Sequence, residues 1–176
     1  MKTIKTALLI MFICVAGIQV HAQTINTNQS RVNFEITAGA IFTVNGTFSG
    51  MQGDFNFNKS NVNNSNFNIC VDAKSIDTDN NKRDTHLRSD DFFAVEAYPT
   101  ICYKSTSVIK TDAGYATTGA LTIHGVTKQV TIPFTFINNT FQGDIEINRF
   151  DYNIGEDFGT FRVGTTATVT ITCQVN

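Results

Sequence analysis

A chain of 176 residues with 13 Lys and Arg against 15 Asp and Glu has a formal net charge of −2, and only 16% of its residues are charged. No stretch gathers basic side chains, which excludes binding that rests on cations set against a run of phosphates. Fifteen Phe, no Trp and only 2 Pro suit an exported β-rich domain.

Lys2 and Lys5 precede an apolar run from Ala7 to Ile18, and Val20-His21-Ala22-Gln23 follows. A charged start, an apolar stretch of about a dozen residues and a small residue at the end form the layout of a secretory signal peptide. Cleavage is expected after Ala22, leaving residues 23–176 as one domain in the periplasm or outside the cell. The run falls short of the ~20 apolar residues that cross a bilayer, and no later segment approaches that length. Cys14 invites acylation, but Ile13 stands where a lipobox requires a small residue.

From Val32 onward apolar and polar residues alternate, the period of half-buried strands. Val32, Phe34 and Ile36 share a face, as do Phe55 with Phe57, and Phe67 with Ile69 and Val71. The alternation resumes at Ile101 and Tyr103, then at Leu121 and Ile123. It continues through Val130, Ile132, Phe134 and Phe136, through Phe141, Ile145 and Ile147, and from Val163 to Val175. Between these runs lie turn residues, including Gly50 to Gly53, Asn58 to Asn66, Gly125 and Asn138-Asn139. About eight to ten strands joined mostly by short turns predict an all-β antiparallel barrel or sandwich.

Asn80 to Ala97 breaks the alternation. It is charged, and Arg83 to Phe93 has neither Gly nor Pro, so one short helix is predicted there. It ends before Tyr98-Pro99, because a residue preceding proline is pushed out of the helical region. At Gly125 the apolar parity switches from odd to even, the mark of a tight turn or bulge.

Two blocks carry a resemblance. Arg83-Asp84-Thr85-His86-Leu87-Arg88-Ser89-Asp90-Asp91-Phe92-Phe93, closed by Tyr98-Pro99, and Leu121-Thr122-Ile123-His124-Gly125-Val126-Thr127-Lys128 resemble the signature of the YceI-like family of bacterial lipid-binding proteins. The family pattern is R-D-x-H-L-x-S-x-D-F-F ending in Y-P, then L-T-I-H-G-V-T-K. One departure is the absence of a histidine near Ala38, where many members place one.

The resemblance implies a lipocalin-like antiparallel β-barrel whose apolar interior takes a polyisoprenoid chain. Composition alone leaves the barrel filled or hollow, since about eight strands enclose either packed side chains or one small ligand. On the implied reading the ligand wall is Phe34, Ile36, Phe48, Phe55, Phe57, Phe67, Ile69, Ile101, Tyr103, Phe134, Phe136 and Ile145, with Phe92 and Phe93 from the helical insert. Arg83, His86, Arg88, His124 and Lys128 are the cationic candidates for a polar or phosphate head group at the barrel mouth. The rival reading of these charges is that they fix the helix to the rim.

No cofactor is expected beyond a bound isoprenoid, and no metal: His86 and Asp90 lie one turn apart, but zinc wants three or four ligands. No G-x-S-x-G, H-E-x-x-H or Cys–His spacing supports a hydrolase. The function expected is therefore non-catalytic carriage or storage of a long-chain isoprenoid, quinone-type lipid or similar apolar lipid in the envelope. The alternatives are a solid structural or stress-response domain and, further off, a hydrolase using Asp84 and His86. Partners expected are the apolar lipid and, from the resemblance, a second copy in a homodimer. Cys70, Cys102 and Cys173 follow the cleavage point. Cys70 and Cys102 share the polar parity, so a bridge between them and three free thiols both stand, while Cys173 reads as a buried thiol.

Overall fold

In the computed structural model, which describes residues 23–39 and 41–176, the alternating segments form nine strands. They are β1 Arg31–Ala38, β2 Phe42–Phe48, β3 Gln52–Asn56, β4 Asn66–Asp72, β5 Thr100–Thr111, β6 Gly114–Ile123, β7 Val126–Ile137, β8 Thr140–Asn148 and β9 Val163–Gln174. One sheet takes them all in the order β2-β1-β9-β8-β7-β6-β5-β4-β3, with every neighbouring pair antiparallel. The apolar face of each strand turns inward, and the sheet curls around that face. The single α-helix among the described residues, α1, covers Asn81–Arg88 within the charged insert. Its first turn is capped by the Asn80 side chain, which accepts from the Arg83 N–H. The expected signal peptide lies outside the described residues.

Turn chemistry sets the register. The β6–β7 hairpin pairs Ile123 with Val126, so His124 and Gly125 form a two-residue loop with φ of 49° and 73°. Two successive positive φ values give the turn whose twist matches a hairpin. A side chain at position 125 would also meet Tyr98 Cε1 at 2.5 Å, so space as well as φ demands glycine. Asn138 and Asn139, at φ 50° and 58°, make the same turn between β7 and β8. A bulge between Ser105 and Ser107 moves the inward set of β5 from Ile101 and Tyr103 to buried Val108.

The curled sheet has one seam, where β2 and β3 are its two edges. Unpaired edges invite foreign strands, and here the flanking chain covers them. Thr47 of β2 bridges to Asp77, with backbone bonds of 2.8 and 3.1 Å. Gln23 bridges to Phe55 of β3, and Ile25 to Val175. The segment holding Asp77 is in turn held by α1: Arg83 donates to the Thr78 hydroxyl and carbonyl at 2.7 and 2.6 Å. Arg88 donates to the carbonyls of Lys74 and Ile76 at 2.8 and 2.5 Å. Buried Asp84 accepts from the Thr78 N–H and hydroxyl. The charged insert thus closes the barrel seam.

Cys70 and Cys102 face each other directly across β4 and β5 and are bridged. Their separation of 32 residues spans the whole insert, a loop whose closure stabilises by about 3–4 kcal/mol in the chain-entropy account. Cys173 is free and buried, and burial pushes its thiol up to about 11, partly offset by a hydrogen bond with Ser30. Alkylation of the folded, exported protein near neutral pH should therefore leave Cys173 untouched, since the thiolate is the reactive form. In denaturant without reductant it should modify Cys173 alone, and label on Cys70 or Cys102 would contradict the bridge.

Candidate functional site

Two apolar clusters occupy the interior. At the end formed by the β5–β6 and β7–β8 hairpins, rings of Phe55, Phe57, Phe67, Tyr115, Phe134, Phe136 and Phe141 pack together. Their closest centroids are Phe134–Phe141 at 4.4 Å and Phe57–Phe136 at 4.7 Å. At the opposite end, beside the insert, Phe92, Ile123, Ile147, Tyr152 and Ile154 form a second cluster.

Between them lies a cavity of about 220 Å³. An apolar cavity of about 150 Å³ in another protein core stays dry and takes up benzene, so this space has room for a somewhat larger apolar group. Phe34, Ile36, Phe48, Phe55, Phe67, Ile69, Phe92, Phe93, Ile101, Tyr103 and Ile145 line it. Phe57, Phe134 and Phe136 do not. They sit one layer deeper, in the aromatic floor, because the alternation reports which face is inward and not how far along the axis a ring lies.

The wall also holds Met51, Leu87, Ile154, Val163, Ala167 and Arg149, none of which the candidate set includes. Arg149 is the consequential omission. Its guanidinium is 4% exposed and donates to five backbone carbonyls: Gly164 at 2.9 Å, Ile154 at 2.8 Å, Val163 at 3.3 Å, and those of Gly155 and Phe158. Every N–H of the fork is thereby used. Burial lowers its pKa from the ordinary value, while the carbonyl cage keeps the cation satisfied without a carboxylate. The residue ties together the β8–β9 connection over the cavity mouth. The signal was present in the sequence, since Arg149 continues the inward odd series Phe141, Ile145, Ile147.

None of the five head-group candidates lines the cavity. Arg83 and Arg88 each donate from Nε and Nη2 to the 74–78 segment. His86 pairs with Asp91 at 2.9 Å on the surface. His124 occupies the hairpin, its Nδ1 3.2 Å from the Tyr152 carbonyl and its ring against Tyr98. The carbonyl only accepts, so Nδ1 carries the proton. Lys128 is exposed and stands opposite Leu121 of β6, on the same parity of β7 as Val130 and Ile132. Arg83 and Arg88 thus hold the 74–78 segment, and His124 fastens the β6–β7 hairpin to Tyr152 and Tyr98.

The other polar groups inside are also quiet. The Tyr103 hydroxyl bonds Thr117 at 2.9 Å, and burial raises its pKa more than that bond lowers it. Tyr152 has a buried hydroxyl with no partner, pushed up to about 12 by burial and, secondarily, by Asp151. Among the described residues no three His, Cys, Asp or Glu side chains are grouped as metal ligands would be.

Comparison with known proteins places this geometry. The model of the YceI-like domain matches residues 23–175. A UPF0312 protein of Vibrio parahaemolyticus is 35% identical over 75% of this chain and 71% of its own length. Protein YceI of Escherichia coli is 35% identical over 73% of this chain and 72% of its own. Among solved structures, Burkholderia cenocepacia BcnA superposes with a TM-score of 0.77 at 23% identity, covering 85% of this chain and 98% of that one. A polyisoprenoid binding domain from Saccharophagus degradans does so with a TM-score of 0.66 at 14% identity, covering 86% and 96%. With its signature blocks, its curled nine-stranded sheet and these relatives, the chain belongs to the YceI-like family.

Proposed function

We propose that the protein binds a long-chain isoprenoid, or a similar apolar lipid such as a quinone-type chain, in this cavity. It does so without covalent chemistry, as a carrier or reservoir in the bacterial envelope after removal of residues 1–22. The observation that carries the reading is the cavity itself, walled by aliphatic and aromatic side chains and floored by packed rings. Each methylene moved from water into such a space contributes about 0.8 kcal/mol, so a few isoprene units bind without directed polar contacts. The relation in fold to a polyisoprenoid binding domain supports the same ligand class.

The cavity also speaks against a hydrolase. General acid–base chemistry needs groups that titrate near the working pH. Here the buried tyrosines and the Cys173 thiol are pushed upward, and Arg149 has no donor to spare. His86 and Asp84, the residues a hydrolase reading would use, are turned to Asp91 and Thr78.

Because none of the head-group candidates lines the cavity, a fluorescent polyprenol and its pyrophosphate should bind with affinities within a few-fold of each other. Arg88→Gln should weaken both together and lower the melting temperature, since it releases the 74–78 segment from α1. A pyrophosphate bound about tenfold tighter or more, with that advantage lost selectively in Arg88→Gln, is the range of a charged hydrogen bond and would restore the head-group assignment.

A further inference from the structure

We infer that the protein docks mouth-first on a lipid bilayer through an exposed apolar rim formed by Ile41, Phe42 and Phe161. The inference rests on the lipid-binding reading and names where the ligand is exchanged. Ile41, Phe42 and Phe161 are 81%, 66% and 75% exposed, although burial of each would remove a large apolar surface from water. Ile41 and Phe42 lie where the β1–β2 turn enters β2, and Phe161 lies in the β8–β9 connection at the same end of the barrel. The Gly39 N–H donates to the Arg162 carbonyl at 3.2 Å, fastening the β1–β2 turn to the residue after Phe161.

This rim is continuous with the cavity wall. Ile36 and Val163 line the cavity, Val163 is paired with Ala38, and Ala38 with Phe42. Residues paired directly across a sheet share a face, so one apolar strip climbs from inside the barrel to an exposed ring at the mouth. A chain leaving the cavity along that strip stays against apolar surface until it reaches the rim. A second argument concerns charge. Exposed Glu156 and Asp157 accompany the single exposed Arg162 on the Phe161 loop, so the rim has no basic cluster to draw it to anionic lipid. Docking here is by apolar insertion into a zwitterionic surface.

The test is flotation with pure phosphatidylcholine vesicles, run beside uptake of a soluble fluorescent polyprenol and sedimentation of the protein alone. Wild type should float with the vesicles to the same extent at low and high salt, and Phe42→Ser/Phe161→Ser should float about tenfold less or lower. That variant should still take up the polyprenol with unchanged affinity, because neither ring lines the cavity, yet exchange it with vesicles more slowly. Wild type that takes up polyprenol but does not float, or floats no better than the variant, overturns docking and leaves the cavity reading intact. Flotation without polyprenol uptake sustains docking and removes the cavity reading instead. A wild-type dimer that the double substitution converts to monomer assigns the rim to a second copy and likewise overturns the inference.

Discussion

Arg149→Met is expected to destabilise the protein by about 3–5 kcal/mol, the range for removing one partner from a buried charged network. Methionine fills a similar volume, so the loss falls on hydrogen bonding: five carbonyls of residues 154–164 lose the guanidinium together, and of them Gly155 keeps the Phe158 N–H. Three of those carbonyls belong to the β8–β9 connection and two to the start of β9, and the Gly39–Arg162 bond ties that connection to the β1–β2 turn. Hydrogen exchange in that connection should accelerate, and the lipid should leave the cavity faster. Arg149→Lys keeps a cation but presents its donors from a single nitrogen, so it should recover only part of the loss. Urea unfolding of the three proteins is the check, and a cost under about 1 kcal/mol for Arg149→Met would mean that the cage is dispensable.

Phe134→Asp should unfold the domain outright. The ring is 4% exposed and lies 4.4 to 5.9 Å, centroid to centroid, from Phe141, Tyr115, Phe57 and Phe67. Removing a buried Phe costs about 3–5 kcal/mol, and an unpaired charge in the same place adds several more. Together these match the 5–15 kcal/mol that typically holds a domain folded. Phe134→Leu, by contrast, should cost about 1–2 kcal/mol and leave the lipid load unchanged, because Phe134 belongs to the floor and not to the wall. Thermal melts of both variants decide it, and a cooperative transition near the wild-type temperature for Phe134→Asp would contradict the buried aromatic floor.

Much of this fold was legible because strand alternation is a direct imprint of which face is inward. Val32, Phe34 and Ile36, or Phe67, Ile69 and Val71, could be assigned to the interior from spacing alone. What spacing does not encode is height along the barrel. Phe57, Phe134 and Phe136 have the same parity as the wall residues, but strand tilt and stagger carry them into the floor. The bulge at Ser105 and Ser107 hides Val108 for the same reason, since one extra residue reverses the face.

The cations are less legible. A charge in a signature block says that a polar partner exists, and nothing in the sequence distinguishes a ligand phosphate from a backbone carbonyl. Arg83 and Arg88 found carbonyls of the 74–78 segment, so they serve the seam. Arg149, outside both blocks, was the charge that faced inward, and only its place in the odd series of β8 betrayed it. The resemblance to the family supplied the hollow interior, which composition left open because phenylalanine fills cores and lines cavities alike.

The most direct test of the account is to extract the exported protein with organic solvent and identify the extract by mass spectrometry, beside the variant Ala167→Phe. Ala167 is a small residue in the cavity wall, opposite Ile36 and Ile147, and a phenyl ring there takes up the space the ligand needs. Wild type should yield a polyprenyl, quinone or comparable apolar chain at close to one per protein, while Ala167→Phe, folded and melting at a similar temperature, should yield almost none. An empty extract from well-folded wild type, or an equal load from Ala167→Phe, would contradict it.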